Sequence, residues 1–302
     1  MLEELTVLGA NSALPIKGRF SSSFVLKTTK RSFLIDAGEG CQMKLGEFHV
    51  KRSKISHVFI SHLHGDHVFG LPGIITSFNL NGRKENLTIY GPLGIKEFIE
   101  TIIRLSSSYM GFDLNIIEIE EPKYQTLFEI EGIQISAFPL KHRVPTFGYK
   151  FQEITTERNV ISDMIKKYTL SIEEIKKLKR GEDLQRDQED LPNSELTYTK
   201  RPKKSFAYCS DTIYDESIIP YVDKSDTIYH EATYLDIMRK QADERMHTTA
   251  LGAAQIALKA DCKRLIIGHF SSRYDDLTPL LEESQSVFDN VYLAHEGAVF
   301  SF

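Results

Sequence analysis

The sequence predicts an α/β or α+β layered domain with one inserted arm. Short apolar runs of the kind that form strands alternate with stretches of helical periodicity in both halves of the chain. One stretch, residues 160–190, breaks this alternation because it is rich in Lys, Glu, Asp and Arg. Since strands mixed with interposed helices are typical of sheets packed under helices, we expect a layered fold. A chain of 302 residues can bury a sizeable core for such a fold.

In the first third of the chain, the apolar pattern predicts strands that alternate with helices. The strands are predicted at Leu5–Leu8, Phe24–Lys27, Ser32–Ile35, His57–Ile60 and Thr88–Pro92. One helix is predicted at Leu71–Leu80, because Pro72 is placed for a helix start. A second is predicted at Leu93–Leu105, where Ile and Phe recur at helical spacing.

The rest of the chain follows a similar pattern on either side of the charged stretch. The predicted elements are strands near 134–138, 147–151, 205–209, 227–229 and 264–267, a helix at 248–260, and a closing strand pair at 290–293 and 298–302. Within the charged stretch, a thin apolar stripe is too sparse for a core element and suits an amphipathic helical projection. Its members are Ile161, Ile165, Ile172, Ile175 and Leu178.

Composition leaves the function open but excludes some classes. The net charge of −5 does not by itself suggest a nucleic-acid binder, although an acidic protein can carry a local basic patch. No stretch approaches the roughly 20 apolar residues of a transmembrane helix, so no membrane partner is expected. The amino terminus lacks the basic and apolar regions of a signal peptide. Cys41, Cys209 and Cys262 are scattered, which favours buried free thiols in a reducing cytosol and predicts a cytoplasmic protein.

Four ligand-type residues lie within six positions, just after the apolar run 57–60. They are His62, His64, Asp66 and His67. Neutral imidazole and carboxylate are the ligands that zinc prefers in catalytic sites, where one position stays open for water. Because two groups of ligands lie so close together, the motif predicts two metals rather than one.

Three further candidate ligands follow other predicted strands. His142 comes after the strand near 134–138, Asp211 after 205–209, and His269 after 264–267. Ionisable residues placed just after buried strands are a recurrent way of building a site on a rigid scaffold. Taken singly, His142 could cap a turn and Asp211 a helix. Together with the histidine motif, the three indicate one metal centre.

These motifs resemble those of the metallo-β-lactamase superfamily and, within it, the ribonuclease Z family of tRNA 3′-processing endonucleases. The likeness spans nearly the whole chain, and its markers are residues 15–19, 36–42, 61–73, 139–142, 210–212, 230–233, 247–249 and 269–274. The resemblance implies a four-layer αβ/βα sandwich with two metals at one edge between two β-sheets. It also implies a single domain over residues 1–302, with the inserted arm at about 152–195.

The resemblance assigns the ligands to two zinc ions per subunit. One zinc would be bound by His62, His64, His142 and Asp211, and the second by Asp66, His67, Asp211 and His269. Asp211 would bridge the pair. Manganese or iron can share such ligands, so the metal itself stays open.

The resemblance also implies a reaction. A metal-activated water would attack the phosphodiester, with Asp66 accepting its proton. His247, oriented by Glu231, would protonate the departing 3′ oxygen, since an imidazole suits this transfer. The expected products are tRNA with a 3′-hydroxyl and a trailer with a 5′-phosphate.

Contacts with precursor tRNA are implied at three places. Lys17 and Arg19 would meet phosphates near the cleaved end, and Ser271 and Arg273 would bind the scissile or adjacent phosphate. The arm would act as an exosite for the tRNA elbow through its basic residues Lys176, Lys177, Lys179 and Arg180. A homodimer is expected from the family, with one subunit's arm serving the other's active site.

The chain departs from the family pattern at two places. Phe20 follows Arg19 where Asn is common, which affects the handling of a trailing CCA sequence. The arm lacks the usual Gly-Pro-rich turn and reads Thr169 to Ile175 instead, which affects the shape of its tip.

Three alternatives remain open from the sequence. The same metal motif serves hydrolases of β-lactams, thioesters, lactones and small phosphodiesters; the arm and the Glu231 and His247 pair favour RNA. A di-iron oxidoreductase on the same fold would usually have a carboxylate at the position of His64. A non-catalytic binding protein is disfavoured by the intact ligand set.

Overall fold

The computed structural model of the protein describes residues 1–16, 18–155, 158–186, 189–199 and 201–302. Its strands are β1 (Leu2–Gly9), β2 (Ser23–Thr28), β3 (Ser32–Ile35), β4 (Ile55–Phe59), β5 (Leu87–Pro92), β6 (Leu114–Ile119), β7 (Gln125–Ile130), β8 (Ile133–Leu140), β9 (Thr146–Glu153), β10 (Arg158–Val160), β11 (Leu184–Arg186), β12 (Glu189–Leu191), β13 (Thr197–Thr199), β14 (Ser205–Cys209), β15 (Thr227–Glu231), β16 (Leu265–Gly268), β17 (Val291–Leu293) and β18 (Val299–Ser301). Its α-helices are α1 (Cys41–Glu47), α2 (Gly65–Val68), α3 (Leu71–Leu80), α4 (Ile95–Leu105), α5 (Ser162–Lys167), α6 (Ile172–Lys179), α7 (Asn193–Leu196), α8 (Ile219–Val222), α9 (Arg239–Arg245), α10 (Ala250–Lys259) and α11 (Thr278–Gln285). Among these helices of the described residues, none has the length and apolarity needed to cross a membrane.

Two large sheets form the frame of the domain. Within the described ranges, each has seven strands, in the orders β18-β1-β2-β3-β4-β5-β6 and β17-β16-β15-β14-β9-β8-β7. Strands β3 to β6 of the first sheet run parallel to one another, as do strands β14 to β17 of the second. Because the carboxyl ends of parallel strands meet at one edge of a sheet, the loops after β4, β14 and β16 are available to build a site.

The core has an inner part and two outer parts. Between the sheets, large buried side chains of the two sheets meet, and the ring centroids of Phe59 and Tyr149 lie 5.2 Å apart. On the outer side of the first sheet, α1, α3 and α4 bury their apolar faces. Helices α8, α10 and α11 do the same on the second sheet. The order helix, sheet, sheet, helix confirms the predicted four-layer sandwich.

The two strands predicted to close the chain are present, but the prediction that they pair with each other is wrong. Strand β17 pairs with β16 in the second sheet, whereas β18 pairs with β1 in the first. The chain between them crosses from one sheet to the other, since Ala294 N donates to Ile267 O and Gly297 N donates to Val7 O. The sequence spacing fits a hairpin, but each strand completes a different sheet edge.

The charged stretch forms a small folded insertion between β9 and β14. At its base, β10 pairs with β13 in an antiparallel register that places Val160 opposite Thr197. Part of the stripe predicted as too sparse for a core joins a buried leucine cluster of the insertion, which consists of Leu170, Leu178, Leu184, Leu191 and Leu196. Ile165 and Ile175 pack against this cluster, whereas Ile172 is exposed. Helix α6 begins at a capping box, in which Ser171 and Glu174 satisfy each other's backbone N–H groups. Residues 152 and 153, expected in the arm, belong to β9 of the core sheet.

Candidate metal centre

The seven predicted ligands come from loops that follow strands of both sheets. His62, His64, Asp66 and His67 lie in and just before the short helix α2, which follows β4. His142 follows β8, Asp211 follows β14, and His269 follows β16. A hydrogen bond from Phe147 N to Ser61 O joins the two sheets beside this rim. All seven side chains meet there in two overlapping groups.

The first group contains three imidazoles and one carboxylate. The Nδ1 atom of His64 lies 3.0 Å from Nε2 of His62 and 3.3 Å from Nε2 of His142. Oδ2 of Asp211 lies 3.7 Å from the first of these Nε2 atoms and 3.8 Å from the second. Such close approach of ring nitrogens is unfavourable without a shared cation, because neutral imidazoles have too few protons to satisfy every contact.

The distances between ligand atoms are more uniform in the second group. His67 Nε2 and His269 Nε2 lie 3.3 Å apart. Oδ2 of Asp66 lies 3.4 Å from the first nitrogen and 3.3 Å from the second. Oδ1 of Asp211 repeats these distances, at 3.4 Å and 3.3 Å.

Asp211 lies between the two groups and faces each with one oxygen. Its carboxylate is buried, and its Oδ1 atom has no hydrogen-bond partner among the residues that the structure describes. An unpartnered buried carboxylate oxygen costs free energy unless a cation compensates it. The side chain is therefore suited to bridging two cations.

The ring nitrogens that face away from the cluster are held by hydrogen bonds. His62 Nδ1 lies 3.0 Å from Ser61 Oγ, and His142 Nδ1 donates to Met246 O at 2.8 Å. His269 Nδ1 lies 2.9 Å from Thr233 Oγ1. Such contacts fix the tautomer that leaves the opposite nitrogen free to bind a metal.

Asp36 is a site residue to which the sequence analysis gave no role. It is fully buried in a left-handed conformation, with φ of 53°. Its Oδ2 atom accepts from His67 Nδ1 at 2.7 Å and from Tyr208 OH at 2.7 Å. Ser61 donates to both carboxylate oxygens, from its N–H and its hydroxyl. The signal in the sequence was its position directly after the apolar run 32–35, the same signal that marked the ligands.

Glu231 and His247 form a pair beside the first group. His247 Nδ1 donates to Glu231 Oε1 at 2.9 Å and lies 3.9 Å from Asp211 Oδ2. Glu231 is fully buried at the end of β15, where Thr212 N and Thr233 donate to it. Burial opposes both charged forms, but the attraction within the pair lowers the pKa of the Glu231 carboxyl and raises that of His247.

Ser271 and Arg273 lie next to His269, at the edge of the cluster. Arg273 Nε donates to Ser271 Oγ at 3.0 Å, and its guanidinium lies 4.9 Å from the centroid of the Tyr234 ring. Gln241 accepts from its Nη1 atom at 3.2 Å. The arginine is thus held in place while its side chain stays exposed.

The other residues predicted to contact phosphate near the cleaved end are Arg19 and Lys17. Arg19 is half-buried, and its Nη1 atom has no hydrogen-bond partner in the described part of the chain. Its loop touches the metal cluster through Ala13, whose N–H donates to Asp66 Oδ2 at 2.8 Å. Lys17 lies outside the described residues. Phe20, the departure from the family pattern, packs its ring 4.3 Å from Lys44 Nζ.

The four predicted basic residues of the arm are all exposed, on and just after α6. Lys176 pairs with Glu173 at 2.8 Å, and Arg180 pairs with Glu182. Lys177 and Lys179 form no ion pair with any residue that the structure describes. Since exposed ion pairs contribute little, all four remain available to an anionic partner.

Comparison with known proteins identifies the family. A protein of Bacteroides thetaiotaomicron named ribonuclease Z is 39% identical over 295 residues, which cover 97% of this chain and 93% of the relative. The chain belongs to the ribonuclease Z family. Ribonuclease BN of Proteus mirabilis is 38% identical, with 98% of this chain and 99% of the relative covered. A family model described as Anti-Pycsar protein Apyc1 matches residues 3–177, more than half of the chain, so the chain also belongs to the family which that model defines.

Solved structures agree with this ribonuclease Z assignment. The short form of human tRNase Z is 26% identical, with a TM-score of 0.73 and coverage of 99% of this chain and 98% of the other. A metallo-β-lactamase fold protein of Bacillus subtilis shares the fold, with a TM-score of 0.74 at 18% identity and coverage of 100% and 99%. With this family and this cluster of ligands, the chain is a metal-dependent nuclease that hydrolyses phosphodiester bonds.

Proposed function

We propose that this chain is a zinc-dependent endoribonuclease that removes the 3′ trailer from tRNA precursors. The observation that carries this proposal is the pair of ligand groups joined by Asp211, with Glu231 and His247 beside them. The chain is also related over nearly its whole length to proteins named ribonuclease Z. The products would be a 3′-hydroxyl on the tRNA and a 5′-phosphate on the trailer.

The distances within the second group support a tetrahedral metal. Zinc binds imidazole nitrogen at about 2.0–2.1 Å, and the edge of a tetrahedron of that radius is about 3.3–3.4 Å. The separations of His67, His269, Asp66 and Asp211 atoms in this group are 3.3 to 3.4 Å. The first group, at 3.0 to 3.8 Å, is less regular but has the same kinds of donor. Manganese and iron accept these donors too, so zinc is the choice to test.

The predicted ligands would hold two metal ions, and the metals would supply the chemistry. His62, His64 and His142 would hold one ion, Asp66, His67 and His269 the other, and Asp211 both. Bound zinc supplies Lewis acidity that makes water a nucleophile near neutral pH and offsets charge on the attacked phosphate. Asp66 would also orient the attacking water. Although burial opposes its ionisation, His67 and His269 hold the pKa of Asp66 well below its usual range, which makes this carboxylate a weak base.

His247 is the side chain that would protonate the departing 3′ oxygen. Its Nδ1 is occupied by Glu231, which leaves Nε2 as the nitrogen that can face a substrate. Glu231 favours the charged imidazolium, so a proton is held ready at that nitrogen. Thr233 continues this chain of contacts from Glu231 to the ligand His269.

Phosphate recognition would come from Arg273 and Ser271 near the cleaved bond, from Arg19 in the loop between β1 and β2, and from Lys17. The orientation of Arg273 by Tyr234 and Gln241 supports this, since a guanidinium fixed in advance loses less entropy on binding. The arm would bind the body of the tRNA through its basic helix α6. We propose a homodimer in which the arm of one subunit serves the active site of the other, and sedimentation or light scattering would test it.

The test is cleavage of a precursor tRNA with a 3′ trailer by the purified zinc-loaded protein, with the cut mapped and the end groups analysed. We expect a cut next to the discriminator base, and loss of cleavage with chelator that zinc restores. Asp66→Ala should abolish cleavage while RNA binding is largely kept.

The alternative is hydrolysis of a small phosphodiester or another substrate of this fold by the same centre. The outcome that would replace our proposal is turnover of a small phosphodiester with no cut near the discriminator base. Metal analysis of the protein as purified decides separately between zinc, manganese and iron.

A further inference from the structure

A groove lies at the end of the first sheet far from the metal cluster. It is bounded by residues 27–32, by residues 47–54 after α1, and by parts of β1 and β18. Its volume is about 590 Å³, within the range of roughly 300–1,000 Å³ in which small-molecule sites fall. Strand β4 begins beside the groove and ends three residues before His62. At a rise of about 3.3 Å per residue, the groove lies on the order of 20 Å from the metals.

The rim of the groove carries uncompensated positive charge. The ammonium groups of Lys30, Lys51 and Lys54 make no ion pair or hydrogen bond with any residue in the described ranges. The other charges there are paired. Lys27 lies 3.0 Å from Glu4 and 3.3 Å from Glu3, so one carboxylate is in excess at that place. Glu47 binds Lys44 at 2.8 Å, and Arg31 binds Glu131. In a protein with a net charge of −5, the three lysines outnumber this one extra carboxylate, and the local excess of positive charge favours a ligand with about two to three negative charges.

The floor of the groove is apolar. Val25, Val50 and Val299 line it together with Phe48, whose ring is half-buried. Gly297 has φ of 80°, and a Cβ there would come within 3.0 Å of the Phe48 ring, so glycine permits the ring to stay in place. This surface can pack against a flat heterocycle while the lysines face the attached anion.

We propose that this groove is a second ligand site, which binds a nucleoside diphosphate. The base would lie on the Phe48 and Val299 floor, and the diphosphate would meet Lys30, Lys51 and Lys54. The lysines surround one compact depression instead of following an extended strip. That arrangement favours a small polyanion over the backbone of an RNA helix. The site does not depend on the proposed reaction, because it shares no residue with the metal cluster.

The test is titration of the zinc-loaded protein with ADP, compared between variants because the metal cluster can also bind phosphates. Lys30→Ala, Lys51→Ala and Lys54→Ala are combined in one variant. A control variant combines Lys84→Ala, Lys96→Ala and Lys203→Ala, which removes the same charge from exposed positions elsewhere. We expect at least a tenfold loss of ADP affinity at one site in the first variant and none in the control. Cleavage activity should be unchanged in both.

A second substitution separates the base from the phosphates. Val299→Trp fills the floor and leaves every lysine in place. We expect it to weaken ADP binding at least tenfold, and to leave the affinity for pyrophosphate within twofold of the original. Melting temperatures check that each variant is folded.

Two results would overturn the proposal. One is equal ADP affinity in the original protein and the Lys30, Lys51 and Lys54 variant, which would place all ADP at the metals. The other is weaker binding of precursor RNA in that variant with ADP binding intact, which would assign the groove to RNA.

Discussion

His247 Nδ1 lies 2.9 Å from Oε1 of Glu231, and the carboxylate that holds it is fully buried. This contact orients the imidazole and favours its charged form. Glu231→Gln would keep the shape but remove the negative charge that attracts the imidazolium. We expect kcat on precursor tRNA to fall by roughly 10²–10⁴-fold, the usual worth of a positioned general acid. Metal content should stay the same. Glu244→Gln, at an exposed carboxylate of α9, is the control, and an unchanged kcat for Glu231→Gln would refute the role of the pair.

We expect Asp36 to affect the affinity for the metal rather than the chemical step. Asp36→Asn keeps a side chain that tolerates the φ of 53° but weakens the bond to His67 Nδ1. Loss of such a supporting contact typically lowers metal affinity by about 10–100-fold. Competition with a chelator measures the change, and excess zinc should restore most of the cleavage. Affinity equal to that of the original protein would show that Asp36 has a purely structural role.

The arm can be removed at a defined point. Val160 lies opposite Thr197 in the β10–β13 pair, so residues 161–196 can be replaced by Asn-Gly, which forms a tight hairpin turn. We expect KM for precursor tRNA to rise at least tenfold, with hydrolysis of a small aryl phosphodiester unchanged. Loss of both activities would count against a separate binding role for the arm.

We expect Lys177 and Lys179 to strengthen binding of precursor tRNA by neutralising its phosphate charges. Each contact with a phosphate contributes about one unit to the slope of log affinity against log salt concentration. Lys177→Ala combined with Lys179→Ala should therefore lower that slope by about two units in binding titrations with precursor tRNA. Lys84→Ala combined with Lys203→Ala serves as the matched control, and equal slopes for the two variants would exclude the arm contact.

His57 should make the fold sensitive to mild acid. Burial, with a smaller effect of Arg31, lowers the pKa of His57 from 6.5 to about 4 in the folded protein. The unfolded chain binds this proton near pH 6.5, so the contribution of His57 to stability is complete above pH 6.5. It is lost as the pH falls toward 4, by about 2 to 3 kcal/mol.

His57→Phe would remove this proton and keep a ring against Phe128, at a centroid distance of 4.8 Å in the present structure. Chemical unfolding at pH 7 and pH 4.5 should show a smaller difference in free energy for this variant. His295→Gln, at an exposed histidine, should behave as the original protein. The same pH dependence in all three proteins would contradict the assignment.

Much of the metal centre followed from one local signal. A ligand-type residue directly after an apolar strand marked His142, Asp211 and His269, and the structure brings all three to the rim where His62 lies. The signal works because strand ends are fixed by the buried sheets. Among the supporting contacts, Asp36 carries the same signal, but the partner of His142 does not, since it is the backbone carbonyl of Met246, which any residue could supply.

Long-range pairing was harder to predict. The separation of β17 and β18 into different sheets depends on which sheet edge each strand meets, and a sequence window of ten residues does not contain that information. The core of the arm was missed for a similar reason. Its leucines are spread from Leu170 to Leu196, and they meet because the β10–β13 pair closes the segment into a loop.

That closure gives the arm a physical independence from the metal centre. Its apolar cluster contains none of the side chains that fill the sandwich, and its two ends enter and leave side by side. Local melting of the arm would therefore leave the ligands in place, and we expect heat to remove the RNA binding proposed for the arm before it abolishes hydrolysis. By the same reasoning, insertions within the arm should change its surface without moving any of the predicted metal ligands.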